Sequence, residues 1–453
     1  MGYFKEKASK ANHQYIINSE LVQEYLKKCI KASDTIPQAK DYERISRKIS
    51  CIENKIETTI KQVAIVDGGY TEVLHKEGEI SYKLCYCIIG VLVLNIQNIS
   101  KNRKTVNPNE LDSLQNLDRF ACVLPLQNIK LKDMDFKQSI RKTIFNIFME
   151  NKLAFENKHN SYPLIHTLKW LLFKEYSDKP DDFITLICPT CERQNKINNL
   201  NERIKCFHCK KFLYITDCFK LHELINENEN TSAICSYFIN TLESMVIISM
   251  FYILLQERDK NKLSEWLFIK DGSLALFNAV KSFSYNTIRP FLQYWYEESI
   301  KDNISYFNFI GLEKNGTFTW HLRNVINIIP AQTIVLPNQD YIKHFIADNT
   351  NIYGKDTYFG IKMFVKKDKN TSFVLDVALP FGIRVKYEDY IKNPSFDDFL
   401  CLKEILEVLF QLECNLYKNS FIPTTMINRF VSLSNIPGKK ILTMFSKALM
   451  NHV

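Results

Sequence analysis

The chain has 453 residues, 46% of them hydrophobic and 13% aromatic, with a formal net charge of +9. This composition excludes a disordered or fibrous chain and supplies enough apolar side chains for a sizeable core. The positive charge allows a polyanionic partner without identifying one. The 13 cysteines and the polar, charged start, which lacks a signal pattern, favour a reducing, cytoplasmic location.

The first part of the chain predicts helices and then strands. Residues 1–60 are polar, with amphipathic helical segments such as SELVQEYLKKCIKA. Two runs rich in Val, Ile and Tyr follow, KQVAIVDGGYTEV and ISYKLCYCIIGVLVLNI, and both predict strands. Residues 134–178 favour helices. We therefore expect an N-terminal helical region over 1–60 and the first part of the main domain over 61–185.

Four cysteines between residues 186 and 212 form the strongest motif that needs no context: CxxC, fourteen residues, CxxC. They are Cys188, Cys191, Cys206 and Cys209. Two such pairs complete a closed tetrahedral site for a structural Zn²⁺. The alternative is four buried or unpaired cysteines. The spacing predicts an inserted zinc ribbon over 186–212, which could also contact DNA or a partner protein.

The next segments predict helices. TDCFKLHELINE predicts a helix with Thr216 or Asp217 as its N-cap, although Asp217, His222 and Glu223 could instead form a local polar cluster. A long apolar segment, 234–256, has the length of a membrane span but carries Glu243 near its middle. A charge there is costly in lipid, so we interpret this segment as a buried core helix and expect no membrane association.

The rest of the chain, 213–453, completes the main domain and ends in helices from about residue 397. EWLFIKDGSLALF predicts a strand, and so do FNFIGLEK, GTFTWHL and TSFVLDVAL. This mixture is typical of an α/β or α+β fold with a mixed sheet. The sequence contains neither GxxxxGK[ST] nor a GxGxxG that opens a helix after a strand, and so shows no nucleotide-driven motor of its own.

Three carboxylates are candidates for one catalytic site. Asp67 in VAIVDGGY and Asp271 in WLFIKDGSLAL each end an apolar run and precede a glycine, which leaves room for a metal ion or a phosphodiester. Either motif alone is commonly just a turn. Glu243 on its apolar helix needs a raised pKa, a cation, or a Lys or Arg partner. Together the three would suit Mg²⁺ or Mn²⁺ and two-metal phosphodiester hydrolysis.

At these residues the chain resembles the NurA nuclease family, the partner of the HerA DNA-translocating ATPase. The resemblance covers roughly residues 60–435. It rests on VAIVDGGYTEV, the helix with Leu242-Glu243, FIKDGSLALF, FIGLEKNGTF and NSFIPTTMINRFVSLS. YITDCFKLHE after the second cysteine pair is similar to zinc-ribbon members found beside HerA-like ATPases in bacterial defence clusters.

The resemblance implies an RNase H-like core with a mixed sheet, usually dimeric, that degrades DNA with Mn²⁺ or Mg²⁺. Asp67, Glu243 and Asp271 match the three metal-binding carboxylates of the family. The resemblance also implies a homodimer that works with a HerA-like hexameric ATPase. The expected role is DNA-end processing in repair, or degradation of phage DNA in antiviral defence.

The C-terminal segment departs from the family pattern, which has a Tyr-Pro followed some seven residues later by His. Here Ile422 precedes Pro423. Phe430 stands at the His spacing, or Asn428 does if the segment is aligned on Ser432.

Other residues are candidates for the missing roles. Tyr417 could replace the tyrosine, and Asn428 or Arg429 the histidine. Lys314 in GLEKNG is a candidate phosphate contact or an ordinary surface lysine. The departure leaves an alternative function open: a catalytically weakened, nuclease-like subunit that binds DNA and regulates or loads the ATPase.

Overall fold

The protein is described from a computed structural model, which covers residues 10–29, 37–77, 80–98, 116–154, 161–225, 232–257, 259–347, 351–379, 386–414, 420–433 and 438–450. Tyr417, the candidate replacement for the family tyrosine, lies outside these residues.

A mixed sheet with nine strands among the described residues forms the centre of the fold. Its strands are β1 (Ser46–Lys48), β2 (Gln62–Glu77), β3 (Ile80–Asn95), β4 (Asn116–Gln127), β11 (Trp266–Asp271), β12 (Asn308–Glu313), β13 (Thr333–Val335), β14 (Gly360–Lys366) and β15 (Ser372–Ala378). The spatial order is β1-β13-β14-β15-β12-β11-β2-β3-β4. Four pairs of short strands lie outside this sheet: β5 (Lys152–Ala154) with β6 (Ser161–Pro163), β7 (Phe183–Ile187) with β8 (Gln194–Asn198), β9 (Arg203–Lys205) with β10 (Phe212–Tyr214), and β16 (Glu413–Cys414) with β17 (Ser420–Phe421).

The described helices surround this sheet. They are α1 (Lys10–Ile17), α2 (Glu20–Lys28), α3 (Ala39–Glu43), α4 (Phe136–Glu150), α5 (Leu164–Leu172), α6 (Ala233–Glu257), α7 (Lys281–Phe283), α8 (Arg289–Asp302), α9 (Thr317–Val325), α10 (Gln339–Phe345), α11 (Tyr387–Tyr390), α12 (Leu402–Gln411), α13 (Ile422–Val431) and α14 (Gly438–Met450). Together with the mixed sheet they confirm the α/β class expected from the sequence.

Two parallel pairings set the centre of the sheet. β11 runs parallel to both β2 and β12, whereas β2 pairs antiparallel with β3 along its whole length. Strands that are buried on both faces read as near-continuous apolar runs. That accounts for the sequences WLFI in β11 and VAIV in β2, whose residues are fully buried or nearly so.

Each face of the sheet packs against its own helices. On one face, α6 joins a core with α4, α5 and α8. On the other face, α9, α12 and α13 form a second core. The segment Ala233–Gln256 is long and apolar enough to cross a membrane by length and composition, yet 83% of an 18-residue apolar window within it is buried inside the protein. This burial agrees with the core helix that the sequence predicted.

Two local predictions were wrong. GTFTWHL, expected as a strand, begins the helix α9, because Phe318, His321, Leu322 and Val325 face the core at helical spacing. The described residues of TDCFKLHELINE lie in two 3₁₀ turns, Ile215–Phe219 and Leu221–Leu224, rather than in one helix. Lys220 between them has φ +55°, which interrupts a right-handed helix. Neither Thr216 nor Asp217 is an N-cap, since Tyr214 precedes the first turn.

Candidate active site

Asp67 and Asp271 lie side by side on adjacent parallel strands. In the register of β2 and β11, Ile269 is opposite Ile65 and Lys270 is opposite Val66. The next residues along both strands are therefore Asp271 and Asp67, at the same level. Because side chains alternate along a strand, both carboxylates start on the same face of the sheet. Two motifs 204 residues apart in the sequence thus meet on adjacent central strands.

Glu243 lies beside the same two strands, on α6, which packs on the other face of the sheet. A Cβ added at Gly68 would lie 2.8 Å from Ile239 Cγ2 and 3.1 Å from Glu243 Oε1. The glycine therefore leaves the space that lets α6 bring its carboxylate against β2. The Gly68 N–H also donates to Asp67 Oδ1 at 2.8 Å, which fixes the first carboxylate at the same point of the strand. The three predicted residues are accordingly neighbours.

Two lysines pair with two of the three carboxylates. Lys270 Nζ lies 2.9 Å from Glu243 Oε2 and donates to Asn240 Oδ1 at 2.6 Å. Lys314 Nζ pairs with Asp271 Oδ2. The Lys270 side chain is 3% exposed, whereas that of Lys314 is 40% exposed. Glu243 therefore has a lysine partner, which was one of the possibilities that the sequence left open. Lys314 forms an ion pair with Asp271 and is not an isolated surface lysine.

The carboxylates carry raised pKa values. Burial, followed by the charges of Asp271 and Glu243, raises the pKa of Asp67 to about 8. Burial also raises the pKa of Glu243, opposed by Lys270, and that of Asp271, opposed by Lys314. Asp67 has no ammonium group within 4.0 Å among the described residues. A bound cation would relieve this cost, because it favours the ionised form of all three groups.

The donor set fits a hard divalent cation. Three carboxylates supply oxygen ligands of the kind that Mg²⁺ and Mn²⁺ prefer. Among the described residues, however, the group whose ligand atoms all lie within 4.8 Å of one another is the cysteine set, not the carboxylates. The carboxylates are spaced more widely, with two of them paired to lysines. An ion would therefore be held through Asp67 and the oxygens that these lysines leave free.

The four cysteines come together as predicted, at the tips of two hairpins. Their sulfurs lie within 4.8 Å of one another. The two CxxC turns share one backbone pattern. In the first, Cys188 N donates to Arg193 O, and Glu192 N donates to Cys188 O. In the second, Cys206 N donates to Lys211 O, and Lys210 N donates to Cys206 O. His208 Nδ1 lies 2.9 Å from an Arg193 nitrogen, outside the thiol cluster. The arrangement could hold one Zn²⁺ in a closed site.

Asp217 and His222 form a buried polar cluster with Arg141, a partner that sequence reasoning missed. The Arg141 guanidinium donates to both Asp217 oxygens, at 2.8 and 2.6 Å, and to Phe212 O. His222 Nδ1 lies 3.8 Å from Asp217 Oδ1, and burial lowers its pKa to about 4. Glu223 is exposed and takes no part. The cluster ties the ribbon to α4, so its role is structural.

A second buried charge cluster, which was not predicted from the sequence, supports the loop after Asp271. Lys362 Nζ lies 3.0 Å from both oxygens of Asp376 and pairs with Glu313. Asp376 Oδ2 also accepts from the backbone N–H of Leu274 at 2.9 Å. Asp376 thus fixes the loop that leaves the catalytic strand. A lysine inside the apolar run GIKMFVK was the signal for this cluster, because a buried ammonium needs an acid partner.

Helix α13, which carries the departure from the family pattern, packs against the strands next to the site. A Cβ at Gly69 would lie 2.2 Å from Val431 O, so only glycine admits this close contact. Asn428 is half-buried, and its carbonyl accepts from Ser432 N at 2.9 Å. Arg429 is exposed. The groups that shift the pKa values of the three carboxylates include none from α13.

Comparison with known families identifies the family of this chain. The family model of the NurA domain matches residues 61–422. The chain belongs to the NurA family. Family membership supports a nuclease that acts on DNA. The crystal structure of the NurA nuclease from Sulfolobus solfataricus aligns with 98% of this NurA chain and 99% of its own, at 8% identity and a TM-score of 0.30. Among curated proteins, no match to this NurA chain is found.

Proposed function

We propose that this chain is a Mn²⁺- or Mg²⁺-dependent deoxyribonuclease whose active site consists of Asp67, Glu243 and Asp271. The observation that carries the proposal is their meeting beside the central strands β2 and β11, with pKa values raised by burial. Carboxylates with perturbed pKa values that gather in one place are typical of functional sites. Membership of a nuclease family supports the same reaction.

Each residue has a distinct task in the proposed site. Bound divalent ions would activate water and stabilise the leaving oxygen of the phosphodiester. Asp67 and Asp271, level on adjacent strands, would hold a divalent ion together with Glu243 from α6. Lys270, buried with Glu243 and Asn240, stays in place. Lys314 is exposed enough to leave Asp271 and neutralise a phosphate oxygen of the substrate.

A cleavage assay tests this assignment. Linear DNA is incubated with the full-length protein and Mn²⁺, Mg²⁺ or EDTA, and with the variants Asp67→Asn and Asp271→Asn. We expect cleavage with either metal and none with EDTA or with the variants. Exposed Asp182→Asn is the matched control. Retained cleavage in both active-site variants, at the same level of bound zinc as the wild type, would reject the site.

We further propose that the protein acts as a homodimer with a HerA-like hexameric ATPase, in DNA repair or in antiviral defence. The sequence shows no phosphate-binding loop, so movement along DNA would have to be driven by another chain. A symmetric dimer at the mouth of a ring-shaped motor would receive the emerging strands. Co-purification with the ATPase, followed by DNA degradation with and without ATP, tests this. A monomer that cuts equally well alone contradicts the partnership but not the nuclease assignment.

The second candidate function is a weakened nuclease-like subunit that binds DNA and regulates or loads the ATPase. The specific observation in its favour is the α13 segment, where Ile422 and Phe430 stand at positions that the family gives to Tyr and His. Cleavage with Mn²⁺ by the purified protein alone decides between the two. Binding of DNA without cleavage, in the presence of the ATPase and both metals, would favour this second function.

A further inference from the structure

The second hairpin of the ribbon, β9–β10, presents an aromatic ring among cations. Phe212 is 42% exposed. Arg203 Cζ lies 5.5 Å and Lys205 Nζ 5.6 Å from its ring centroid. The ring of Tyr214 stacks beside it, with centroids 6.4 Å apart and planes 22° apart. The register explains the grouping, because Phe212 is opposite Lys205 and Tyr214 is opposite Arg203.

A third cation joins this surface from α4. Lys142 Nζ lies 5.8 Å from the ring centroid of Tyr214. Burial and then the charge of Arg203 lower the pKa of Lys142, so the two cations repel each other. We call the surface formed by Lys142, Arg203, Lys205 and Phe212 the basic-aromatic face.

The cations of the basic-aromatic face lack acidic partners. Within the described residues, none of Lys142, Arg203 and Lys205 has a carboxylate oxygen within 4.0 Å, although the charge of Glu150 acts on Lys142 from farther away. Glu202 pairs with Lys169, and Asp217 pairs with Arg141. Cations that gather against their mutual repulsion are available to an anionic ligand.

The charge of the whole ribbon points the same way. Residues 183–214 contain six Lys and Arg and two Glu. The ribbon therefore stays positive even after the two negative charges that a zinc tetrathiolate would add. It also exposes two further rings, Phe183 at 56% and Phe207 at 68%. Exposed rings beside unpaired cations are the combination that binds single-stranded nucleic acids.

We propose that the basic-aromatic face binds single-stranded DNA, with phosphates on Lys142, Arg203 and Lys205 and a base stacked on Phe212. The inference rests on the proposed function and deepens it, because it names the form of DNA that the ribbon receives. A base can stack on the exposed ring of Phe212 only if it is not stacked between its own neighbours. The bases of duplex DNA are stacked on one another and would first have to unstack. The face therefore prefers single strands over a duplex of the same length.

Binding is measured by fluorescence anisotropy with labelled oligothymidine of about 16 nucleotides. The full-length protein carries Asp67→Asn throughout, so that cleavage does not interfere. Phe212→Ala should weaken binding by about 5- to 150-fold, the usual effect of losing one stacked base, and Phe212→Trp should retain it. Arg203→Ala with Lys205→Ala should lower the slope of log Kd against log salt by about 1.4, or 0.7 for each lost phosphate contact. The matched control is Lys343→Ala with Lys369→Ala, two exposed lysines outside the ribbon.

The possible results separate this proposal from the nuclease assignment. Weaker binding by Phe212→Ala and by the Arg203/Lys205 variant, each with one zinc per chain, supports the face even if the wild type never cleaves DNA. Unchanged binding in the Arg203/Lys205 variant overturns the face even if the wild type is an active nuclease. Equal affinity for duplex and single strand also overturns it. If the Phe212→Ala variant loses zinc, the Phe212→Leu variant is tested in its place. Unchanged binding by Phe212→Leu overturns the stacking role.

Discussion

Asp67→Asn should stabilise the metal-free protein at alkaline pH, against the usual expectation for a mutation at a buried site. The pKa of Asp67 rises from 3.8 to about 8 on folding, first because the group is buried and then because Asp271 and Glu243 repel its charge. A carboxyl with a raised pKa in the folded state stabilises folding only while it is protonated. Its contribution is lost as pH rises from the unfolded to the folded pKa.

The magnitude follows from the shift. A pKa difference of about 4, at about 1.4 kcal/mol for each pKa unit, gives roughly 6 kcal/mol above pH 8. Protonation of the neighbouring carboxylates and entry of water relieve part of this cost. We therefore expect Asp67→Asn to raise the free energy of unfolding by about 1–3 kcal/mol at pH 8.5. The advantage should shrink steadily towards pH 5, because Asn does not titrate.

Urea unfolding in EDTA, followed by tryptophan fluorescence at pH 5, 7 and 8.5, measures this difference. Adding Mn²⁺ at pH 8.5 should stabilise the wild type more than Asp67→Asn, since the ion replaces the lost proton. Asp182→Asn, at an exposed position, should change neither quantity. If Asp67→Asn is less stable than the wild type in EDTA at pH 8.5, or if the difference does not vary with pH, the electrostatic account of the site is wrong.

Three further results are expected. Cys188→Ser should lower bound zinc below one ion per chain by elemental analysis and loosen the ribbon towards protease, while the carboxylates remain competent to cleave DNA. Asp376→Asn leaves Lys362 with a single acid partner and should cost about 3 kcal/mol in urea unfolding, together with slower cleavage. Gly69→Ala should cost about 1–3 kcal/mol, because the new Cβ would meet Val431 O and push α13 away from the sheet.

The sequence was sufficient to predict the two strands that carry Asp67 and Asp271 and the cysteine cluster, because their signals are local. VAIVDGGY and WLFIKDGS are apolar runs that end in Asp-Gly, and both form central strands. GTFTWHL misled because Thr, Phe and Trp favour strands. Its buried residues nevertheless recur at helical spacing from Phe318 to Val325, so periodicity outweighed composition.

The ion pairs of the site could not be predicted from local patterns, since each joins distant parts of the chain. Lys270 stands in the same motif as Asp271, yet strand alternation sends its side chain to the opposite face, where Glu243 lies. A lysine in an apolar strand does signal a buried acid partner, but choosing Glu243 requires the packing of α6 on the sheet. The same holds for Arg141 and Asp217, which are 76 residues apart.

Helix α13, which carries Ile422 and Phe430, bears on how the strands of the site are supported. Gly69 lies two residues beyond Asp67 on the same face of β2, and the end of α13 rests directly on it. Gly90, the partner of Asp67 across the strand pair, likewise faces Val431. The pKa values of the carboxylates arise instead from burial, from one another and from two lysines. Substitutions in α13 should therefore alter how firmly Asp67 is held while leaving the donor set for a divalent ion intact.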